Sequence, residues 1–409
     1  MPPIWLEVLE VSAKAMVQLC GVCLAGFLCA SFPRNEPLLA KADVRVLARL
    51  SNNVFLPVLS VVVLGQSVDA QALRSSWQLL PAGLVATLLG FAVADSTAWA
   101  FGIASERMYR ALRVAVAHPN AFALPLLLLR SLCEKPLLNR DFGGNAGQCK
   151  TRAAASMAVY LTAWHLCFWT YSMASLEGVA ARAALNAATA ADAAAAAKGE
   201  RRSMLGEESA PKSRRTFAEY ARRAALQPNI IGLFAGVALG VSPLSAALFR
   251  DGHASWLRPV GAALQTLGEP LVCATTLVMA ASLWHGSRAA ARANDAQPLD
   301  SVAAPRSRRQ GRKLMAWFVL ARLVFVPTIG LSVAHFVLRR GTLGLSKLDR
   351  FIILLQFAMP GAQTVLVTLS ALGLTDLASD MASFYVVQYA LSVVTVTAFA
   401  AWSLLLVYY

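Results

Sequence analysis

Val116-Ala117-His118-Pro119-Asn120-Ala121-Phe122-Ala123-Leu124-Pro125-Leu126 interrupts one hydrophobic run with prolines, and Leu355-Gln356-Phe357-Ala358-Met359-Pro360-Gly361-Ala362-Gln363-Thr364-Val365 interrupts another. One stretch lies in each half of the chain. A helix broken inside a bilayer exposes N–H and C=O groups that hydrocarbon cannot satisfy. Such breaks survive only inside protein or beside a polar cavity. Paired breaks in two halves point to a transporter's substrate site.

Composition agrees with a membrane setting. Of 409 residues, 57% are hydrophobic and only 14% charged, with a mean hydropathy of +0.55. A soluble domain carries roughly 25% charged residues. The first apolar run, from about Ala15 to Ala30, lacks a basic leader and a clear cleavage site, so it reads as a first span. The net charge of +15 is placed in orienting loops rather than on a nucleic-acid surface, because no basic motif is interleaved with aromatics.

The expected fold is an all-α polytopic membrane protein with about ten transmembrane helices. The candidate spans are 6–31, 45–65, 79–102, 113–130, 153–173, 227–249, 259–284, 314–338, 350–372 and 382–409. Pro57 and Pro270 mark spans two and seven, as the quoted prolines mark four and nine. This grouping suggests two inverted five-helix repeats, residues 1–173 and 227–409, with broken helices four and nine. Residues 174–226 form a cytosolic flexible linker that opens with an alanine run at 187–198. Ser203 and Ser213 are candidate phosphosites there. Loops and adjoining helix ends after the odd spans hold 23 Lys and Arg, against 12 on the other side. That bias puts both termini on the non-cytosolic side.

Cys133 and Cys149 fall in one non-cytosolic loop, where they form either a disulfide or two free thiols. The other five cysteines read as packing residues in spans. Ionisable residues within spans are functional candidates by default: Asp95, Glu269 and Arg322. Asp95 and Arg322 serve either transport or a structural pair. His118 abuts the first break, and Glu7 and Lys14 read as interfacial. Asn120 follows Pro119 at that break and can donate to a substrate carboxylate. Gln363 and Thr364 hold the corresponding place after Pro360-Gly361. Freed N–H groups at a half-helix start also favour anions. No P-loop, zinc motif or nucleophile elbow is present, so neither an enzyme nor a metal or cofactor is expected.

These stretches resemble the auxin efflux carrier family, and most closely its PIN-LIKES branch. Leu50-Ser51-Asn52-Asn53-Val54-Phe55-Leu56-Pro57 is similar to Leu-Ser-x-x-x-Phe-x-Pro. Asn120, Leu124, Pro125 and Leu126 match part of Gly-Asn-x-Gly-Asn-Leu-Pro-Leu. Leu267-Gly268-Glu269 through Thr275-Thr276-Leu277 resembles Leu-Gly-Asp…Thr-Thr-Leu. Arg322, Pro327 and Gly330 match Arg-x-x-x-x-Pro-x-x-Gly. Met359-Pro360-Gly361-Ala362-Gln363-Thr364 resembles Met-Pro-Pro-Ala-x-Asn, and Tyr389-Ala390-Leu391-Ser392 and Ala401-Trp402-Ser403 echo the family further on.

The resemblance implies that helices four and nine cross at their prolines. Helices one, two, six and seven would form a scaffold, and the rest a moving bundle. It implies an elevator-type carrier of small organic anions such as indole-3-acetate, with Pro119, Asn120, Pro125, Pro360, Gln363 and Thr364 near the substrate. A homodimer and residence in the endoplasmic reticulum, or else the plasma membrane, are implied as well. Phe122 and Ala123 replace a glycine and an asparagine, and Thr364 another asparagine, which bears on auxin more than on transport. Two other readings stay open. One is a cation-coupled carboxylate symporter using Glu269 or Asp95. The other is a non-transporting receptor on the same fold.

Overall fold

The computed structural model describes residues 4–33, 37–103, 107–197, 222–249, 256–296, 304–339 and 344–408. Every regular element among them is helical. Five helices are long and apolar enough to cross a membrane: Lys41–Ser67, Leu79–Ala100, Arg258–Arg288, Arg309–Val337 and Thr375–Tyr408. The segments expected as spans one, five and six are helical over Ile4–Ser31, Ala146–Cys167 and Pro228–Val241.

The two quoted stretches are broken helices. The first runs as Arg107–Ala117 and resumes as Ala123–Leu132. The second runs as Lys347–Ala358 and resumes as Thr364–Ala371. Each gap is five residues long, with a proline in its second position. The residue before a proline is pushed out of the α region by the ring. Met359 accordingly adopts φ −69°, ψ 145° and ends its helix. Pro125 plays no part in the break. It lies in the first turn of Ala123–Leu132, where a missing N–H costs nothing.

Prolines 57 and 327 are handled differently. Each ring would clash with the carbonyl four residues back. A π-helical turn precedes each, Ser51–Phe55 and Ala321–Phe325. Leu56 N–H reaches back to Ser51 O, and Val326 N–H to Ala321 O, so the helices continue. A third π turn spans Phe168–Ser172. Such turns often sit at functional sites.

Residues 174–197 of the expected tether are helical. Helix Met173–Ala197 carries on through the alanine run, as alanine favours. Ser203 and Ser213 lie outside the described residues.

Helix Pro228–Val241 crosses Leu56–Ser67 with almost no side chain between them. A Cβ at Gly232 would stand 2.6 Å from Pro57 O, one at Gly236 2.8 Å from Ser60 O, and one at Gly240 2.2 Å from Val68 O. Gly236→Val should therefore cost about 2 kcal/mol from overpacking, since backbone rather than a mobile side chain must move. A thermal melt of purified protein in detergent should show the drop. Gly21→Ala, with nothing within 4 Å of the added atom, serves as the neutral comparison. Matching midpoints for the two variants would contradict the interlock.

Candidate functional site

The two breaks pair as one short antiparallel bridge, Pro119 opposite Gly361. Asn120 N donates to Pro360 O at 2.7 Å, and Ala362 N to His118 O at 2.9 Å. Four more backbone groups are met by side chains from other helices. Trp164 Nε1 donates to Pro119 O, Gln356 Nε2 to Ala121 O, and Tyr385 OH to Ala362 O. Gln388 Oε1 accepts from Gly361 N. Buried backbone polar groups need such partners, and here they have them.

Arg322 is the largest of these contributors. It is 1% exposed and carried on the π turn before Pro327. Its Nε donates to Met359 O at 2.7 Å, Nη1 to Val116 O at 3.0 Å and Nη2 to Gln356 O at 3.1 Å. One planar guanidinium thus caps the C-terminal ends of both first half-helices, where carbonyls are left over. The structure replaces the expected carboxylate partner with three carbonyls. Among the described residues Arg322 forms no ion pair, so its charge stays uncompensated beside the crossing.

Asn120 is fixed by a relay. Tyr389 OH lies 3.0 Å from Gly361 O, and that carbonyl can only accept. The hydroxyl oxygen must then accept from Asn120 Nδ2, at 2.9 Å. The relay leaves the amide's second N–H and its Oδ1 unspent.

A partly open cavity lies beside the crossing. Asn120, Gln363 and Thr364 line it together, with Asn52, His165, Ser60 and Thr275 as further polar groups. The wall is otherwise apolar, including Leu56, Leu59, Val63, Leu161, Phe122 and Trp164. No charged side chain lines it. Gln363 is 8% exposed, and its Nε2 has no partner. Pro119 and Pro360 shape the crossing without lining the cavity, and Pro125 lies beyond it.

The candidate charges fall elsewhere. Asp95 binds Arg113 through both oxygens and accepts from Tyr109 OH at 2.6 Å. Arg113 also lies over the Phe91 ring. Glu269 is exposed at the turn before Pro270 and does not line this cavity. His118 is fully buried in a ring of Phe91, Trp164 and Phe168. Lys14 pairs on the surface with Glu10, and the side chain of Glu7 lies outside the described ones.

Two polar features lie away from the cavity. Cys133 and Cys149 are joined by a disulfide. The residue after each cysteine adds an ion pair, Lys150 to Glu134 at 2.7 Å, which holds that carboxyl below its usual range. Asp349 is buried and accepts from Ser156 at 2.6 Å and Ser346 at 2.6 Å, with Arg152 at 3.7 Å. The sequence reading passed over it. Its signal was the Ser346-x-x-Asp349 capping box at a helix start.

Three cations on one face of Lys41–Leu50 hold the far end of the half-helix Thr364–Ala371. Lys41 pairs with Asp376 at 2.8 Å, and Arg49 Nε donates to Ala371 O at 3.4 Å. Arg45 lies against Gly373, where a Cβ would stand 2.5 Å from its guanidinium. One turn on, Asn52 Nδ2 donates to Thr368 Oγ1 at 3.3 Å. A helix C-terminus, with its partial negative charge, suits such partners.

The family model described as "Membrane transport protein" matches residues 11–400. The chain is similar to Protein PIN-LIKES 7 of Arabidopsis thaliana, at 23% identity over 380 residues, covering 88% of this chain and 89% of that protein.

Proposed function

Because this chain belongs to the membrane transport protein family, we propose that it is a secondary carrier of small organic anions, auxin-like carboxylates with an apolar body. It is an integral membrane transporter and not an enzyme. The observation that carries the substrate reading is the meeting of Asn120, Gln363 and Thr364, drawn from two separate breaks, on one cavity.

The chemistry of that cavity favours an anion held without a countercharge. The amides can donate to a carboxylate and release it. The first N–H groups of the half-helices after each break have no intrahelical acceptor. Arg322 adds a positive charge behind the crossing. The apolar wall suits a hydrocarbon or aromatic body. The symporter reading assigned the coupling ion to Glu269 or Asp95, and both lie off this cavity.

The proposal includes the finer architecture: ten spans in two inverted repeats, with helices four and nine crossing at their prolines. It also includes both termini on the non-cytosolic side, the endoplasmic reticulum as the compartment, and a homodimer. Movement is of the elevator type. The half-helix Thr364–Ala371 would then slide against Lys41–Leu50, and the contacts of Lys41, Arg49 and Asn52 are those that must break.

Radiolabelled indole-3-acetate flux in proteoliposomes under an imposed membrane potential tests the reading. Flux should follow the potential and persist without a sodium or proton gradient. Flux that requires either gradient would favour the symporter. Absence of flux for this and other aromatic carboxylates, from a sample with a sharp thermal transition, would overturn the carrier reading.

A further inference from the structure

We propose that His165 determines specificity by accepting a hydrogen bond from the substrate's body. The cavity would then select organic anions that carry an N–H or O–H donor away from the carboxylate. The inference rests on the reading of this cavity as the substrate site.

His165 lines the cavity from helix Ala146–Cys167, in one stripe with Leu161 and Trp164. Its Nδ1 lies 2.9 Å from Leu161 O. A carbonyl can only accept, so Nδ1 carries the proton. Nε2 of the neutral ring is then a bare acceptor. It has no hydrogen-bond partner among the described residues. The Trp164 ring meets His165 edge to face at 5.3 Å and steadies it.

His118 provides the comparison inside the same molecule. Its Nδ1 is committed in the same way, to Val114 O at 3.1 Å. His118 is sealed among aromatic rings and does not line this cavity, so its bare nitrogen is out of reach of a ligand there. His165 differs in position, not in tautomer.

The other polar groups on the wall are more adaptable or already engaged. Trp164 Nε1 is spent on Pro119 O, and the Ser60 and Thr275 hydroxyls on their own helix carbonyls. Asn52 and Asn120 each spend one amide N–H, on Thr368 Oγ1 and Tyr389 OH, and the amide of Gln363 can turn either face to a ligand. Nε2 of His165 can only accept. A ligand without a donor would strip water from this nitrogen and return nothing. Sites built on such a bond reject analogues that lack it far more strongly than sites built on shape.

The test uses two anions of nearly equal shape. Indole-3-acetate carries a ring N–H, and benzofuran-3-acetate has oxygen in its place. Competition against radiolabelled indole-3-acetate, on the full-length protein in proteoliposomes, gives both affinities. Wild type should prefer the indole by about tenfold or more. His165→Phe keeps a ring and removes the acceptor. It should bind the two anions equally, with affinity for benzofuran-3-acetate unchanged. His165→Gln restores an acceptor and should recover part of the preference. Thermal midpoints of both variants identify a folding failure, and the glutamine variant still decides if phenylalanine does not fold. Equal binding by wild type, or a preference retained in both variants, would overturn the assignment to His165 alone. Binding of neither anion by wild type would overturn the proposed substrate class and His165's role together.

Discussion

Arg322→Leu should destabilise the protein by about 3 kcal/mol or more. The guanidinium is the donor for three buried carbonyls, on Val116, Gln356 and Met359. Leucine reaches none of them, and each orphaned group costs about 1–3 kcal/mol. Removing a buried charge offsets part of that loss, which is why the sum is not larger. Arg322→Lys tests geometry against charge. It keeps the cation, but one ammonium cannot span carbonyls that a planar fork reaches from three nitrogens. Thermal midpoints in detergent should therefore rank arginine above lysine and lysine above leucine. A leucine variant as stable as wild type would show that the crossing does not depend on this cap.

Asn120→Ala should lower anion flux by about 10- to 100-fold while leaving the fold in place. A hydrogen bond to a charged group is worth roughly 1.5–3 kcal/mol, and the amide's second N–H is free to make one. The structural loss is smaller. Tyr389 keeps its bond to Gly361 O, and the backbone pairing of Asn120 with Pro360 needs no side chain. Asn120→Asp separates shape from charge. It matches asparagine in size but places an anion where an anion must bind, so flux should fall at least as far. The measurement is initial flux in proteoliposomes beside the thermal midpoint. Flux at the wild-type rate in the alanine variant would remove Asn120 from the site.

Much of this arrangement was legible because it follows from local rules. A proline ends a helix at the residue before it, so both breaks could be placed from the chain alone. That Asn120, Gln363 and Thr364 lie near one another was implied by the family resemblance, not by the prolines alone. What was not legible depends on partners distant in sequence. Nothing local says that Pro119 faces Gly361, or that Trp164, Gln356, Tyr385, Gln388 and Tyr389 supply the missing hydrogen bonds. Nor does composition say that Pro57 and Pro327 are absorbed by π turns rather than by kinks. Arg322 was read as serving transport or a structural pair, because the count of free carbonyls at two helix ends is a property of the fold. Glu269 drew notice for its charge, but the face it occupies is decided by packing. His165 carried no signal at all until its neighbour's carbonyl fixed the proton.

The crossing also has an order of synthesis. Residues 118–121 emerge from the ribosome early, but their partners come at Trp164, Gln356, Pro360, Ala362 and Tyr389. Arg322, which caps Val116, is itself made before two of its three acceptors. Until residues 356–362 are in place, the first break holds backbone groups that hydrocarbon cannot satisfy, at several kcal/mol apiece. The early half of the chain is thus an unfinished product that the late half completes. A nascent chain halted before Gln356 presents an open polar seam to the lipid, the kind of defect by which membrane quality control can tell a truncated protein from a whole one.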